Sequence, residues 1–326
     1  MLNLFYDEPE GDRWFLYDRY PRRIYRRMVK FRPRATGQAR VFLNLCAGLE
    51  RIGAPYRVND YRYARNNPNE LVCIIGRSFV LDKRKWENPI LLGPSLTTHP
   101  IDDPDVTKRQ PVKKVLMPGL WAKDLWKRYW SLDIEAWPVG IDTHLWSPSA
   151  NQTKKFDVLL YNKVRWDYDN YNASLIEPIR ETLRKKGITF REIRYGTYRE
   201  EDFFEALGEC KAMIFLVEYE SQGIAYQQAL SRGVPIMAWD SGGPWVDPDF
   251  YPHRVVFEPV TSVPYWDERC GHRFKNFGDF ENKWDDFWST VKVGRFSPRD
   301  YVLENLTLEK CARDYLKIAQ GMGALA

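Results

Sequence analysis

Several things are scarce in this 326-residue chain, and each scarcity excludes a class of protein. Only five cysteines are present, at 46, 73, 210, 270 and 311, and no two form a Cys-x-x-Cys pair. That spacing argues against a disulfide framework or a thiolate zinc site, and predicts reduced core thiols. The four histidines at 99, 144, 253 and 272 are scattered, so no metal site is expected. No apolar run approaches the ~18 residues a membrane span requires, and the first residues lack the apolar core of a signal peptide. A cytoplasmic location is therefore expected. Internal repeats and low-complexity tracts are also missing.

What is present suits a soluble globular protein: 44% hydrophobic and 29% charged residues, in a length that accommodates two domains of ordinary size. Residues 212–217 form a short apolar run. A helical pattern follows from about Gly223 to Ser231, Gly233 stops it, and residues 234–239 make a second apolar run. Two such runs around one helix predict a β-α-β unit of a parallel sheet. Ligands of these sheets bind beyond the carboxyl ends of the strands, where Glu220, Ser221, Gln222 and Gly223 are expected to lie. A helix that starts there presents free N–H groups, including those at Gly223 and Ile224, to a phosphate. The Glu220 carboxylate beside them suits sugar hydroxyls.

Residues 220–243, ESQGIAYQQALSRGVPIMAWDSGG, resemble the donor-site signature of GT-B glycosyltransferases. The similar branch is the retaining, nucleotide-sugar-dependent one that includes the glycogen synthase and sucrose synthase type enzymes. Glu220, Gly223, Ala229, Gly233 and Pro235 fall in step with that pattern. Gln228 departs from it, standing where the family has a second Glu that accepts from the ribose hydroxyls. An amide oxygen still accepts one such bond, without charge. A second segment, residues 137–148 (WPVGIDTHLWSP), resembles the interdomain motif of the same family at Pro138, Gly140, Ile141, Asp142, Thr143, Trp146 and Pro148.

The resemblance implies two Rossmann-like domains facing across a cleft. Residues 1–148 are the expected acceptor domain and 149–300 the donor domain, with 301–326 a C-terminal helix crossing back to the first domain. Further strands are read at residues 2–6, 71–75, 89–92, 112–117 and 156–161, and another is closed by Arg194, Tyr195 and Gly196. A helix from Thr36 to about Ile52 and a Trp-rich helix after residue 117 complete the first unit. In the family, the strand corresponding to 156–161 ends in cations that hold the donor diphosphate. Lys163 aligns with the first of these, and Arg165 substitutes for a later Lys replaced here by Tyr168; both also read as ordinary loop charges. Gly196 lies where the family often contacts the nucleobase. His99 falls near a donor-facing histidine, although a lone His in a Pro-flanked loop is more often structural. The implied reaction moves a sugar from a nucleotide diphosphate with retention, using Glu220, Lys163 and His99 and no cofactor or metal. Three Asp-x-Asp pairs, at 103, 167 and 247, occur as often as chance placement gives and do not point to metal-dependent transfer.

Between Arg13 and Arg40 ten Lys or Arg face a single acid, Asp18. Arg22, Arg23, Arg26 and Arg27 lie at the centre of this run, with tyrosines interleaved. Such a patch attracts an anionic acceptor or surface: a glycolipid, an acidic glycan or nucleic acid. A solvated basic segment explains it as well. Two readings therefore stand. The first is a retaining glycosyltransferase, of which a phage-type DNA-modifying enzyme is one variety. The second is a non-catalytic nucleic-acid or anionic-polymer binder on a degenerate GT-B scaffold. Residues 244–296 carry no motif that either reading uses.

Overall fold

The fold follows from a computed structural model that describes residues 1–7, 37–76, 79–94, 99–148 and 152–323. Thr36 and the basic cluster Arg22, Arg23, Arg26 and Arg27 lie outside the described residues. Among the described residues the chain builds two parallel sheets, each flanked by helices. The first has six strands in the order β2-β1-β3-β4-β5-β6: β1 Leu2–Phe5, β2 Tyr56–Val58, β3 Val72–Ile74, β4 Ile90–Leu92, β5 Val112–Met117 and β6 Asp133–Ala136. The second has five in the order β11-β10-β9-β7-β8: β7 Phe156–Asn162, β8 Phe190–Arg194, β9 Cys210–Leu216, β10 Ile236–Trp239 and β11 Gly271–Phe274. Strands β7 and β9 are direct neighbours, with Asn162 in register with Leu216, so their carboxyl ends emerge side by side.

The central strands are continuous apolar runs because helices cover both faces of a parallel sheet. Helices α1 (Gly37–Arg51), α2 (Tyr61–Asn66), α3 (Phe79–Asp82) and α4 (Leu120–Lys127) belong to the first unit. The second unit carries α5 (Tyr168–Tyr171), α6 (Glu177–Lys185), α7 (Glu200–Glu209), α8 (Ile224–Ser231), α9 (Phe277–Lys292) and α10 (Pro298–Asn305). The β9-α8-β10 unit forms where the two apolar runs around residues 223–231 place it.

The last helix, α11 (Leu308–Gly321), crosses back and packs on α1 of the first unit. Its Cys311, Ala312, Tyr315 and Ala319 join Leu45, Leu49 and Trp137 in one core. The Trp137 indole donates to the Cys311 carbonyl (2.9 Å). A second exchange runs through residues 245–260. Trp245, Val255, Phe257 and Val260 pack with Ile74, Leu92, Val115 and Trp126 in the core of the first sheet. All five cysteines are buried free thiols. Burial pushes their pKa up, to about 11 for Cys46 and about 12 for the other four.

Candidate functional site

The carboxyl ends of β7 and β9 supply the principal charged residues. Lys163 follows β7 directly, and its backbone N–H donates to the Leu216 carbonyl at the end of β9 (2.8 Å). That bond directs the Lys163 ammonium onto the Glu220 carboxylate, with which it forms a hydrogen-bonded ion pair. Both side chains are only slightly exposed, at 13% and 14%. The ammonium also lies 4.6 Å from the centre of the exposed Tyr195 ring, just ahead of Gly196.

Glu220 is held in place by its backbone. Its N–H donates to the Thr261 carbonyl (3.0 Å), and its carbonyl accepts from the Trp121 indole (2.7 Å). The first partner belongs to the second unit and the second to α4 of the first. A Cβ on Gly119 would come 2.4 Å from the Ser221 carbonyl, so the two units touch at this signature. Thr261 also donates its hydroxyl to Asp240 (3.0 Å), the residue that follows β10.

Gly223 starts α8 with φ +76°, and a Cβ there would meet the Tyr226 ring at 2.1 Å, so only glycine fits. No side chain caps this helix start. Its first-turn N–H groups, which have no partner within a helix, are thereby left for a ligand. Gln222 turns away from that space. Its buried amide accepts from Val139 N–H (3.1 Å) and donates to Gln227 (3.0 Å). Gln228 is buried in α8, and Gly196 follows β8 in open surroundings with φ +88°.

Arg165 lies over the rings of Trp166 and Tyr219, 5.2 and 5.3 Å from their centres. The loop that carries it is fixed by a residue the sequence reading did not single out. Glu218, 5% exposed, accepts from the backbone N–H groups of Arg165 (2.7 Å) and Trp166 (2.8 Å) through one carboxylate oxygen. Its other oxygen is buried without a hydrogen-bond partner. The only signal in the sequence was its place beside Glu220, just past an apolar strand.

His99 does not join this cluster. It is 1% exposed and enclosed by Trp126, Tyr129, Trp245 and Phe250, with ring centres 4.9 to 5.5 Å away. Its Nδ1 accepts from Ile101 N–H (3.1 Å), which puts the proton of the neutral ring on Nε2. Burial lowers its pKa to about 4. Sequence reasoning missed the cage because two of its walls, Trp245 and Phe250, come from a segment that carries no motif. Among the described residues no three His, Cys, Asp or Glu side chains group as a metal site would require.

A cavity of about 420 Å³ opens beside Glu220, between α4 and the loop through Phe257 and Thr261. A larger one, about 970 Å³, runs along β11 from Asp240 to Asp286.

No protein-family model matches the chain, and no curated protein matches it. Solved structures do. One is AviGT4, a glycosyltransferase involved in avilamycin A biosynthesis, with a TM-score of 0.55 at 13% identity over 100% of this chain and 98% of that one. Another is the sucrose-phosphate synthase of Thermosynechococcus elongatus, with a TM-score of 0.53 at 11% identity, covering 81% of this chain and 76% of its own. The pneumococcal O-GlcNAc transferase GtfA, in complex with UDP and GlcNAc, gives 0.50 at 11% identity, covering 80% and 59%. Two all-parallel sheets, a signature loop at their junction and a final helix that returns to the first sheet make this the fold of the GT-B glycosyltransferases.

Proposed function

We propose that the protein transfers a sugar from a nucleotide-diphosphate donor to an acceptor hydroxyl, with retention at the anomeric carbon and without a metal ion. The observation that carries this reading is the Lys163–Glu220 pair, set at the ends of adjacent parallel strands three residues before the uncapped start of α8. An ammonium, a carboxylate and free helix N–H groups at one place match the three needs of such a donor. The diphosphate takes Lys163, Arg165 and the N–H groups near Gly223 and Ile224. The sugar hydroxyls donate to Glu220. The ribose bonds Gln228, and the base lies against the backbone at Gly196. Ser221 and Gln222 shape the turn between them.

In the transfer step the anomeric carbon–phosphate oxygen bond breaks as the acceptor oxygen bonds the same face of that carbon. The acceptor's proton passes to the departing phosphate. Charge grows on that phosphate, where Lys163 and the α8 N–H groups stabilise it. His99 is given no part in this step, since its ring is buried among four aromatic residues.

Thermal-shift and calorimetric binding against UDP-, GDP-, ADP- and dTDP-sugars, with and without EDTA, tests the reading. One nucleotide class is expected to stabilise the protein equally in both conditions. Glu220→Ala is expected to fold normally and lose transfer at least a hundredfold. No stabilisation by any donor, or unchanged transfer in Glu220→Ala, would favour the binder on a degenerate scaffold.

A further inference from the structure

The cavity beside Glu220 has walls from both units. Trp121 of α4 and Arg128, which follows that helix, form one side, and Phe257, Glu258 and Thr261 form the other. Two of these residues hold the backbone of Glu220 itself: the Trp121 indole bonds its carbonyl, and the Thr261 carbonyl accepts its N–H. A molecule in the cavity therefore touches the two residues that fix the backbone of Glu220, the group that holds the donor sugar in the reading above, on which this inference rests. At about 420 Å³ the space lies within the range of small-ligand pockets.

The lining selects a chemistry. Trp121 and Phe257, with ring centres 6.4 Å apart, present apolar ring surface. Asp124, 3.6 Å from the Lys123 ammonium, and Glu258 contribute two carboxylates, and Glu258 has no ion-pair partner among the described residues. The one lining cation, Arg128, is already engaged: its guanidinium lies 4.4 Å from the Phe257 ring centre and 3.5 Å from the Val256 carbonyl. Acceptors thus outnumber free donors, and the formal charge of the lining is negative. Such a surface repels a phosphate or carboxylate and suits hydroxyl groups that donate. Flat ring surface beside carboxylates matches the alternating apolar and hydroxylated faces of a sugar. We propose that this cavity is the acceptor subsite, and that it takes an uncharged sugar ring rather than a phosphorylated or acidic group or a nucleic acid.

Saturation-transfer NMR and calorimetry on the full chain test this, with glucose, galactose, N-acetylglucosamine and maltose as neutral probes. Glucuronate and glucose 1-phosphate serve as charged controls. At least one neutral probe is expected to bind saturably and at least tenfold more tightly than either control. Asp124→Ala combined with Glu258→Ala, both at exposed positions that leave the fold intact, is expected to weaken that binding at least tenfold. Affinity for nucleotide sugars should stay within twofold. Tighter binding of a charged control, binding that survives the double substitution, or no saturable binding of any neutral sugar would each overturn the proposal. If nucleotide sugars still bind in those cases, only the acceptor assignment falls. If they fail to bind the unaltered protein, the donor reading falls instead.

Discussion

Glu218 and Glu220 stand two positions apart beyond β9 and act in different directions. Glu220 aims its carboxylate at the Lys163 ammonium, whereas Glu218 turns inward and fastens a loop 52 and 53 residues earlier in the chain. The Arg165 and Trp166 N–H groups are therefore committed to protein and closed to a phosphate. Glu218→Ala strands both donors in a part-buried setting, at a cost of about 1–3 kcal/mol per group. Donor affinity is expected to fall about tenfold while Glu218→Gln, which keeps an acceptor oxygen, restores most of it. Calorimetric titration of the three proteins checks this, and equal affinities would separate Glu218 from the proposed donor site. His99 makes a separate prediction about acid stability. Its pKa is lowered by burial from an unfolded value near 6.5 to about 4. The stability this contributes is present above pH 6.5 and is lost as pH falls toward 4, because only the unfolded chain takes the proton over that window. The loss is about 2 kcal/mol. Urea unfolding at pH 7 and 4.5 should show it, and His99→Phe should flatten it; an unchanged slope would exclude the neutral cage. Glu220 was legible in the sequence as the first residue of the donor-site signature. Glu218 was not, because its role depends on backbone groups far along the chain.

The elements that the sequence displayed most clearly are the central strands. Residues 71–75, 112–117, 156–161 and 212–217 are apolar because both faces of each strand are covered. The strands that escaped notice are β2 (YRV), β6 (DIEA) and β11 (GHRF), and each lies at the edge of a sheet. Edge strands carry charges that block further pairing, which erases the apolar signal that would reveal them. In β11 the block is visible: Lys283 donates its ammonium to the Arg273 carbonyl (2.9 Å). Helix α9 was missed for a different reason. Its aromatic side chains, including Phe280, Trp284 and Phe287, are fully buried, but they belong to a segment with no motif. The docking of α11 on α1 is close enough to test. A Cβ on Gly48 would meet the Leu308 carbonyl at 2.5 Å and Ala312 Cβ at 2.9 Å. Gly48→Val is expected to force the helices apart and cost about 2 kcal/mol. Urea unfolding measures the loss, and limited trypsin digestion should release the α11 segment first. Stability within 0.5 kcal/mol of the unaltered protein would show that the contact yields freely.

At the scale of the whole molecule, the first sheet does not have a private core, whereas one face of the second does. Residues 245–260 and 311–319 return from the second half of the chain to pack on the first sheet. Polar contacts reinforce the exchange: Tyr265 donates its hydroxyl to the Pro118 carbonyl (2.6 Å), and Gln222 holds Val139. A fragment of residues 1–148 therefore lacks part of its own interior. It is expected to bind the dye ANS and melt without cooperativity, while the full chain unfolds in a single transition by calorimetry. A cooperative melt of the fragment would contradict the shared core. The sequence showed the two-unit plan through its two motifs and the order of its strands. It did not show this exchange, since apolar residues at 245–260 look the same whichever sheet they cover.

The returning helix α11 also sets a timetable for biosynthesis. Translation adds roughly 5–20 residues per second, so roughly ten to thirty seconds separate the emergence of Trp137 from that of Tyr315, its partner in the core. Through that interval the nascent first sheet waits with an apolar face uncovered, open to wrong contacts until helix α11 arrives.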